Sequence, residues 1–324
     1  MALATALFYM LVFPGFAFLS SFGMIAEWVD RKLHAKMQNR VGPPMFQPLA
    51  DFIKLVSKQD LMPELADKGM YKYAPVVALA AAVTAFLYIP IWGFTAPLGS
   101  FSGDVIVVLY LLTIPTVTFF VGGWYSRSVY SMLGAARTLM QMFAYEVPLF
   151  LSILGPALLA GPTDGHAFRP WCLADMAAFY AVHPVLALVN VLGFGISLVA
   201  LLGKLEKVPF DIAEAETEIV AGSFTEYSGR LLGIFRLACG IEMIVGCALI
   251  AAVFLPFGLG LPPVAAFGLF VAKVLALVAV LSLMRTLFAR MRIDQMINFC
   301  WRVAAPLAFV QLMVDLLVKG WMAR

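Results

Sequence analysis

Apolar residues run along this chain in long blocks that charged residues interrupt. Eight blocks, near residues 4–27, 73–92, 104–124, 140–160, 184–203, 234–256, 264–284 and 303–319, are each close to the length that crosses a bilayer as a helix. The first block lacks a basic leading segment and exceeds the apolar core of a signal peptide, so it reads as a span. The longest polar stretch, 28–72, separates the first two blocks. Within it, Gln47-Pro-Leu-Ala-Asp-Phe-Ile-Lys-Leu-Val-Ser-Lys58 puts Leu49, Phe52, Ile53 and Val56 on one helical face. Asp51, Lys54 and Lys58 fall on others. That spacing predicts an amphipathic helix along the inner membrane surface. The whole pattern predicts an all-α integral membrane protein. It would form a single polytopic domain, 1–324, with about eight transmembrane helices.

Composition agrees. The chain is 63% hydrophobic and 13% charged, against about 25% charge in soluble domains. Segments 28–72, 125–139, 204–236 and 285–302 hold 18 of the 22 basic residues, and the loops between them hold one, Arg169. This asymmetry predicts that the basic segments face the cytoplasm and that both termini lie outside. The net charge of +3 follows those loops and gives no footing for nucleic acid. Cys172, Cys239, Cys247 and Cys300 are scattered, and no two of the three histidines have ligand spacing. The chain is therefore expected to carry no metal or cofactor of its own.

The chemistry concentrates in carboxylates. Glu206, Asp211, Glu214, Glu216 and Glu218 fall within thirteen residues at the edge of a span. Asp211 and Glu214 have the spacing of a capping box, which would make them structural. Glu216 and Glu218 have no such duty, and charge beside hydrocarbon points to proton handling or docking. On a helix, Asp211, Glu214 and Glu218 would share one face. Glu226 follows closely. Glu146 and Glu242 sit inside spans, where they read as relay groups or as partners for Arg137, Arg230 or Arg236. Asp315 and Lys319 read as residues reaching the outer interface, and Lys273 stays open between a mid-membrane carrier and a structural group. Arg31, Lys32, Lys36 and Arg40 could meet lipid headgroups or an acidic partner.

Several motifs together resemble the subunit 1 family of respiratory complex I. Asp30-Arg-Lys, Gln38-Asn-Arg-Val-Gly-Pro43 and Gln47-Pro-Leu-Ala-Asp51 with Lys54-Leu55 look like that family's first inner loop. Pro209-Phe-Asp-Ile-Ala-Glu-Ala-Glu-Thr-Glu218, followed by Thr225-Glu-Tyr-Ser228, looks like its acidic loop. Arg292-Ile-Asp-Gln295 with Trp301 resembles its last inner loop. Only Pro44-Met-Phe separates the Gly-Pro from the Gln-Pro, a short form similar to the membrane subunits of energy-converting nickel–iron hydrogenases. Lys204 stands where the family usually has a glutamate, and Glu206 lies two residues on.

The resemblance implies a non-redox subunit in a prokaryotic cytoplasmic (inner) membrane. It would anchor hydrogenase large and small subunits carrying a nickel–iron centre and iron–sulfur clusters. It would link their electron transfer to proton or sodium movement in antiporter-like neighbours within the lipid. The alternative is the quinone-chamber subunit of a complex I-like dehydrogenase. Another class, an independent secondary ion transporter, would need paired broken spans in two halves, which the sequence does not display.

Overall fold

The computed structural model describes the chain except residues 1, 94, 161–170, 215, 259, 323 and 324, together with the side chains of 2, 3, 216 and 217. Arg169 and the Glu216 side chain therefore lie outside the described residues. The regular elements among the described residues are all helices. Helices α1 (Ala2–Leu11) and α2 (Phe16–Met37) are separated by a turn at Pro14, and α3 (Gln47–Val56) is the surface helix. Then come α4 (Lys68–Phe86), α5 (Asp104–Tyr125), α6 (Val129–Leu159), α7 (Leu173–Val182), α8 (Pro184–Val189) and α9 (Val191–Lys204). A four-residue helix, α10 (Glu216–Ile219), precedes α11 (Gly229–Phe254) and α12 (Pro263–Leu287). Finally, α13 (Ile293–Phe299) continues through a wide turn, Cys300–Ala304, into α14 (Ala305–Met322).

Seven helical stretches among the described residues are long and apolar enough to cross a membrane. The expected span at 184–203 departs from this pattern, because it breaks at Asn190 into α8 and α9. Several helices also outrun their apolar blocks: α6 starts at Val129 and α2 continues to Met37. Hydropathy marks the hydrocarbon thickness, whereas the backbone stays helical wherever its hydrogen bonds are met.

Helix α11 forms the middle of the bundle, and residues 241–254 are buried almost without exception. From Met243 onward it is apolar all round, as the core of a central helix must be. Small residues let neighbours approach closely. Gly23 of α2 faces Gly240 backbone to backbone, and Gly233 sits under Phe52 and Leu55 of α3. On one side α11 meets α2 and α12, and on the other α4, which packs on α5. Helix α6 joins α5, α9 and α14.

The surface helix forms where expected. Phe52 packs against the bundle, while Leu49, Ile53 and Val56 remain exposed on the neighbouring part of the apolar face. Asp51 accepts from Arg31 at 3.1 Å and from Gln47 at 2.8 Å, which ties the helix to α2.

The turn Gly222–Phe224 docks on α6 where Gly134 leaves no side chain. A Cβ at 134 would lie 2.4 Å from the backbone of Gly222 and Ser223. Gly134→Ala should therefore lower the stability of the purified protein by about 1–3 kcal/mol, the usual range for overpacking. Differential scanning calorimetry in detergent is the check, and an unchanged melting temperature would contradict this packing.

Candidate functional site

Helix α9 ends in a turn that aims its last side chains inward. The Glu206 amide donates to Gly203 and the Lys207 amide to Leu202, the paired bonds of a Schellman cap. Glu206 takes the left-handed position of that cap, at φ +51°, which glycine usually fills. Gln141 of α6 secures the segment from behind, donating to the carbonyls of Gly203 at 2.7 Å and Phe210 at 2.8 Å.

Lys204 is thereby driven into the bundle, where it is 2% exposed. Its ammonium lies 2.7 Å from Glu242 of α11, and both side chains are buried. It also donates to the Leu112 carbonyl and reaches Thr116 at 3.4 Å. Thr116 in turn lies 3.0 Å from the Tyr145 hydroxyl. Two charges this deep persist only because each has the other and polar neighbours besides.

Around the pair opens a cavity of about 350 Å³. Six acids line it: Glu27, Asp30, Glu206, Asp211, Glu214 and Glu242. Five bases face them: Arg31, Lys204, Lys207, Arg236 and Arg285. Asp30 is buried and lies 2.7 Å from Lys207 and 3.1 Å from Arg285. Glu214 pairs with Arg236 at 3.1 Å, and Arg31 pairs with both Glu27 and Asp51. Glu206 has no basic partner among the described residues, and one of its carboxyl oxygens is buried without a hydrogen bond. Burial, with the Glu214 and Glu242 carboxylates nearby, pushes its pKa up to about 8. The chamber thus sets one readily protonated acid among ion pairs, a combination suited to taking up and passing a proton.

The structure brings together four of the expected acids: Glu206, Asp211, Glu214 and Glu242. It separates Glu146, Glu218 and Glu226 from these. Glu218 is exposed and bonds Arg137 at 2.6 Å and Arg290 at 3.4 Å. The Arg137 hydrogen bond holds its carboxyl below the usual range. Glu146 is half-buried on α6 and does not line the chamber. Glu226 contributes its backbone carbonyl to the Tyr71 hydroxyl at 2.7 Å. The capping box at Asp211 and Glu214 does not form, because residues 211–214 are non-helical and α10 begins only at Glu216. These acids therefore do not share a helix face; the buried Phe210, Ile212 and Ala213 anchor the loop instead.

Arg137 and Arg236 are taken by Glu218 and Glu214, and Arg230 lies 2.7 Å from Asp60, so none neutralises Glu146 or Glu242. Of the basic inner residues, Lys32 donates to the Val41 carbonyl at 2.8 Å, whereas Lys36 and Arg40 are exposed. Lys273 caps carbonyls at the end of α11, donating to Leu255 at 2.6 Å and to Phe257. Asp315 does not reach an interface, being fully buried beside Gln311.

Sequence reasoning passed over Asp30, Lys207 and Arg285 as chamber residues. The available signal was a carboxylate inside a helical run, one position before the basic residues that were read as surface. Among the described residues no three His, Cys, Asp or Glu side chains come together as a metal site.

Two outcomes follow. Lys204→Met or Glu242→Leu alone leaves one charge buried without its partner, which should cost about 3–5 kcal/mol. The double variant should recover most of that loss in thermal unfolding, and additive losses would mean that the two groups do not interact. Glu206 binds its proton more tightly folded than unfolded, where a glutamate titrates near 4.5. Its stabilising contribution is full below that value and is lost as pH rises through about 8. Wild-type protein should therefore lose more stability than Glu206→Gln when pH is raised across that window, and parallel curves would contradict the assignment.

The sequence matches the family described as NADH dehydrogenase over residues 9–316. It is 35% identical over 323 residues to the H subunit of the NADH-quinone oxidoreductase of Dehalococcoides mccartyi (strain CBDB1), covering 95% of this chain and 85% of the relative. It is 36% identical over 316 residues to an H subunit of the NADH-quinone oxidoreductase of Geobacter metallireducens (strain ATCC 53774 / DSM 7210 / GS-15), covering 92% and 88%. The fold is similar to a chain in the membrane-bound sulfane sulfur reductase, an archaeal respiratory membrane complex. The TM-score is 0.81 at 23% identity, over 97% of this chain and 99% of that one. The resemblance first carried by the inner-loop motifs thus extends along nearly the whole sequence, and the chain belongs to the NADH dehydrogenase subunit 1 family.

Proposed function

We propose that this chain is the membrane subunit of a quinone-linked, complex I-like respiratory oxidoreductase. In this reading its charged chamber couples electron transfer in a hydrophilic arm to proton movement. The observation that carries it is the buried Lys204–Glu242 pair opening into a chamber of acids and bases. Relatives named as quinone oxidoreductase subunits support the quinone-linked reading above the hydrogenase one suggested by the short Pro44–Phe46 link. The chain acts as a coupling element, and the redox centres belong to partner subunits.

The coupling rests on competition for Lys204. Lys204 holds Glu242 as its ion-pair partner. A change of charge beside Asp211 or Glu214 shifts the field across the chamber and loosens the pair. Glu242 then gains affinity for a proton, and Glu206, already easily protonated, is the near donor. The chamber is walled mainly by charged side chains, which suits water and protons better than an apolar tail.

The test is the purified complex in proteoliposomes, with quinone reduction and proton translocation followed together. Glu242→Gln and Lys204→Met should assemble and lose most translocation per electron, at least about tenfold for a lost relay group. Wild-type coupling in both variants would reduce the chamber to a structural element. Hydrogen evolution from a low-potential donor, without quinone reduction, would move the assignment to the hydrogenase branch.

A further inference from the structure

A second charged recess, of about 390 Å³, opens between α6, α10 and the link from α12 to α13. It shares no lining residue with the chamber. Arg137, Arg290 and Arg292 line it, with Glu218, Asp294 and apolar side chains. Three guanidiniums against two carboxylates leave one positive charge over. The Met291 amide donates to the Pro209 carbonyl at 2.9 Å, which fixes the wall that carries Arg290 and Arg292.

The recess already holds an oxyanion of the protein's own. Glu218 spans two of the arginines, with Oε2 at 2.6 Å from Arg137 and Oε1 at 3.4 Å from Arg290. Both carboxylate oxygens are then used. Arg292 is exposed and in no ion pair among the described residues, although its charge acts on Glu218. A phosphate spans the same fork and has further oxygens for the third guanidinium, a match that arginine makes well. The Glu218 side chain is 53% exposed, so it can swing into water without uncovering anything.

Sequence and exposure together put the recess at the level of lipid headgroups. Arg137 stands three residues before the apolar block that opens at residue 140. On the same face of α6, four residues before it and three after, Leu133 and Met140 are 52% and 53% exposed. On the other wall, Leu287 and Phe288 close α12 with 70% and 51% exposure, and Arg290 follows two residues later. Apolar side chains turned outward with arginines just beyond them suit acyl chains below and headgroups above. A free anion in water has no use for those flanks. The basic-residue asymmetry predicts that this side is cytoplasmic, and that leaflet carries anionic lipid.

We propose that this recess binds the phosphate of an anionic lipid of the inner leaflet through Arg137, Arg290 and Arg292, and that Glu218 fills the fork between the first two until the phosphate displaces it. One oxyanion exchanges for another, so Glu218 sets how tightly the lipid is held. The inference stands independently of the role given to the chamber.

The test is photo-crosslinking of the intact complex in nanodiscs of phosphatidylcholine. These contain a small fraction of phosphatidylglycerol with a photoreactive group beside its phosphate, and adducts are mapped by mass spectrometry. The expected result is an adduct on residues 287–293 whose yield falls about fivefold in Arg137→Gln, Arg290→Gln or Arg292→Gln, the worth of one basic residue at an anionic surface. Glu218→Gln removes the internal competitor and should raise the yield by a similar factor, which decides the matter even if an arginine variant fails to assemble. Arg127→Gln, an equal loss of charge at an exposed position between α5 and α6, should leave the yield unchanged. Equal labelling by a phosphatidylcholine carrying the same group, or a yield unmoved by the arginine variants and by Glu218→Gln, would overturn the proposal. So would loss of the adduct in phosphate buffer, which makes free phosphate the ligand. An adduct seen only after the hydrophilic subunits are stripped away would overturn it too, since the recess is then a protein contact.

Discussion

A lysine and a glutamate that meet inside a membrane bundle constrain everything around them. Lys204 and Glu242 lie 2.7 Å apart with almost no exposure. Neither could remain charged there alone. Helix α9 must end where it does so that Lys204 points inward, and α11 must present Glu242 at that depth. Helix α5 supplies the Leu112 carbonyl and Thr116, which orient the ammonium. Pro115 removes one backbone donor from the same stretch of α5. Three helices are thus held in register by one ion pair, and the chamber is the space their polar ends leave between them.

The chamber extends the same logic outward by degrees. Asp30 with Lys207 and Arg285, then Glu214 with Arg236, then Arg31 with Glu27 and Asp51 form successive pairs between the deep site and the surface. Side-chain exposure is lowest at Asp30, 3%, and reaches a quarter to a half in the Glu214–Arg236 and Arg31–Glu27 pairs. Effective dielectric rises with it, so the inner pairs are the ones whose rearrangement carries energy. Glu206 breaks the alternation of sign, having no basic partner among the described residues, and burial with the Glu214 and Glu242 carboxylates nearby favours its protonated form.

Much of this was legible in the sequence, and the misses share a cause. Apolar blocks predicted the helices because bilayer thickness dictates their length. The break at Asn190 went unseen because the flanking residues are apolar on both sides, and no proline or glycine stands at the break itself. Glu242 was visible as a charge within a span. Its partner was harder, because Lys204 closes a span and a basic residue there reads as an interfacial group. Asp30 was hidden by Arg31 and Lys32, which made the stretch look like the start of a loop. The capping box failed because spacing alone does not show whether a helix begins.

The acidic loop is closed by a glycine. Gly222 adopts φ +55°, and a Cβ on it would lie 1.8 Å from the Ala213 carbonyl oxygen. The segment from Ala213 to Gly222 therefore returns on itself and is pinned at its neck against α6. A loop tied in this way behaves as a clasp of fixed length. Its two ends meet at Ala213 and Gly222, so lengthening or shortening the segment between them would break that contact. Chain length, more than the number of acids it carries, is then the property of this loop that tolerates least change.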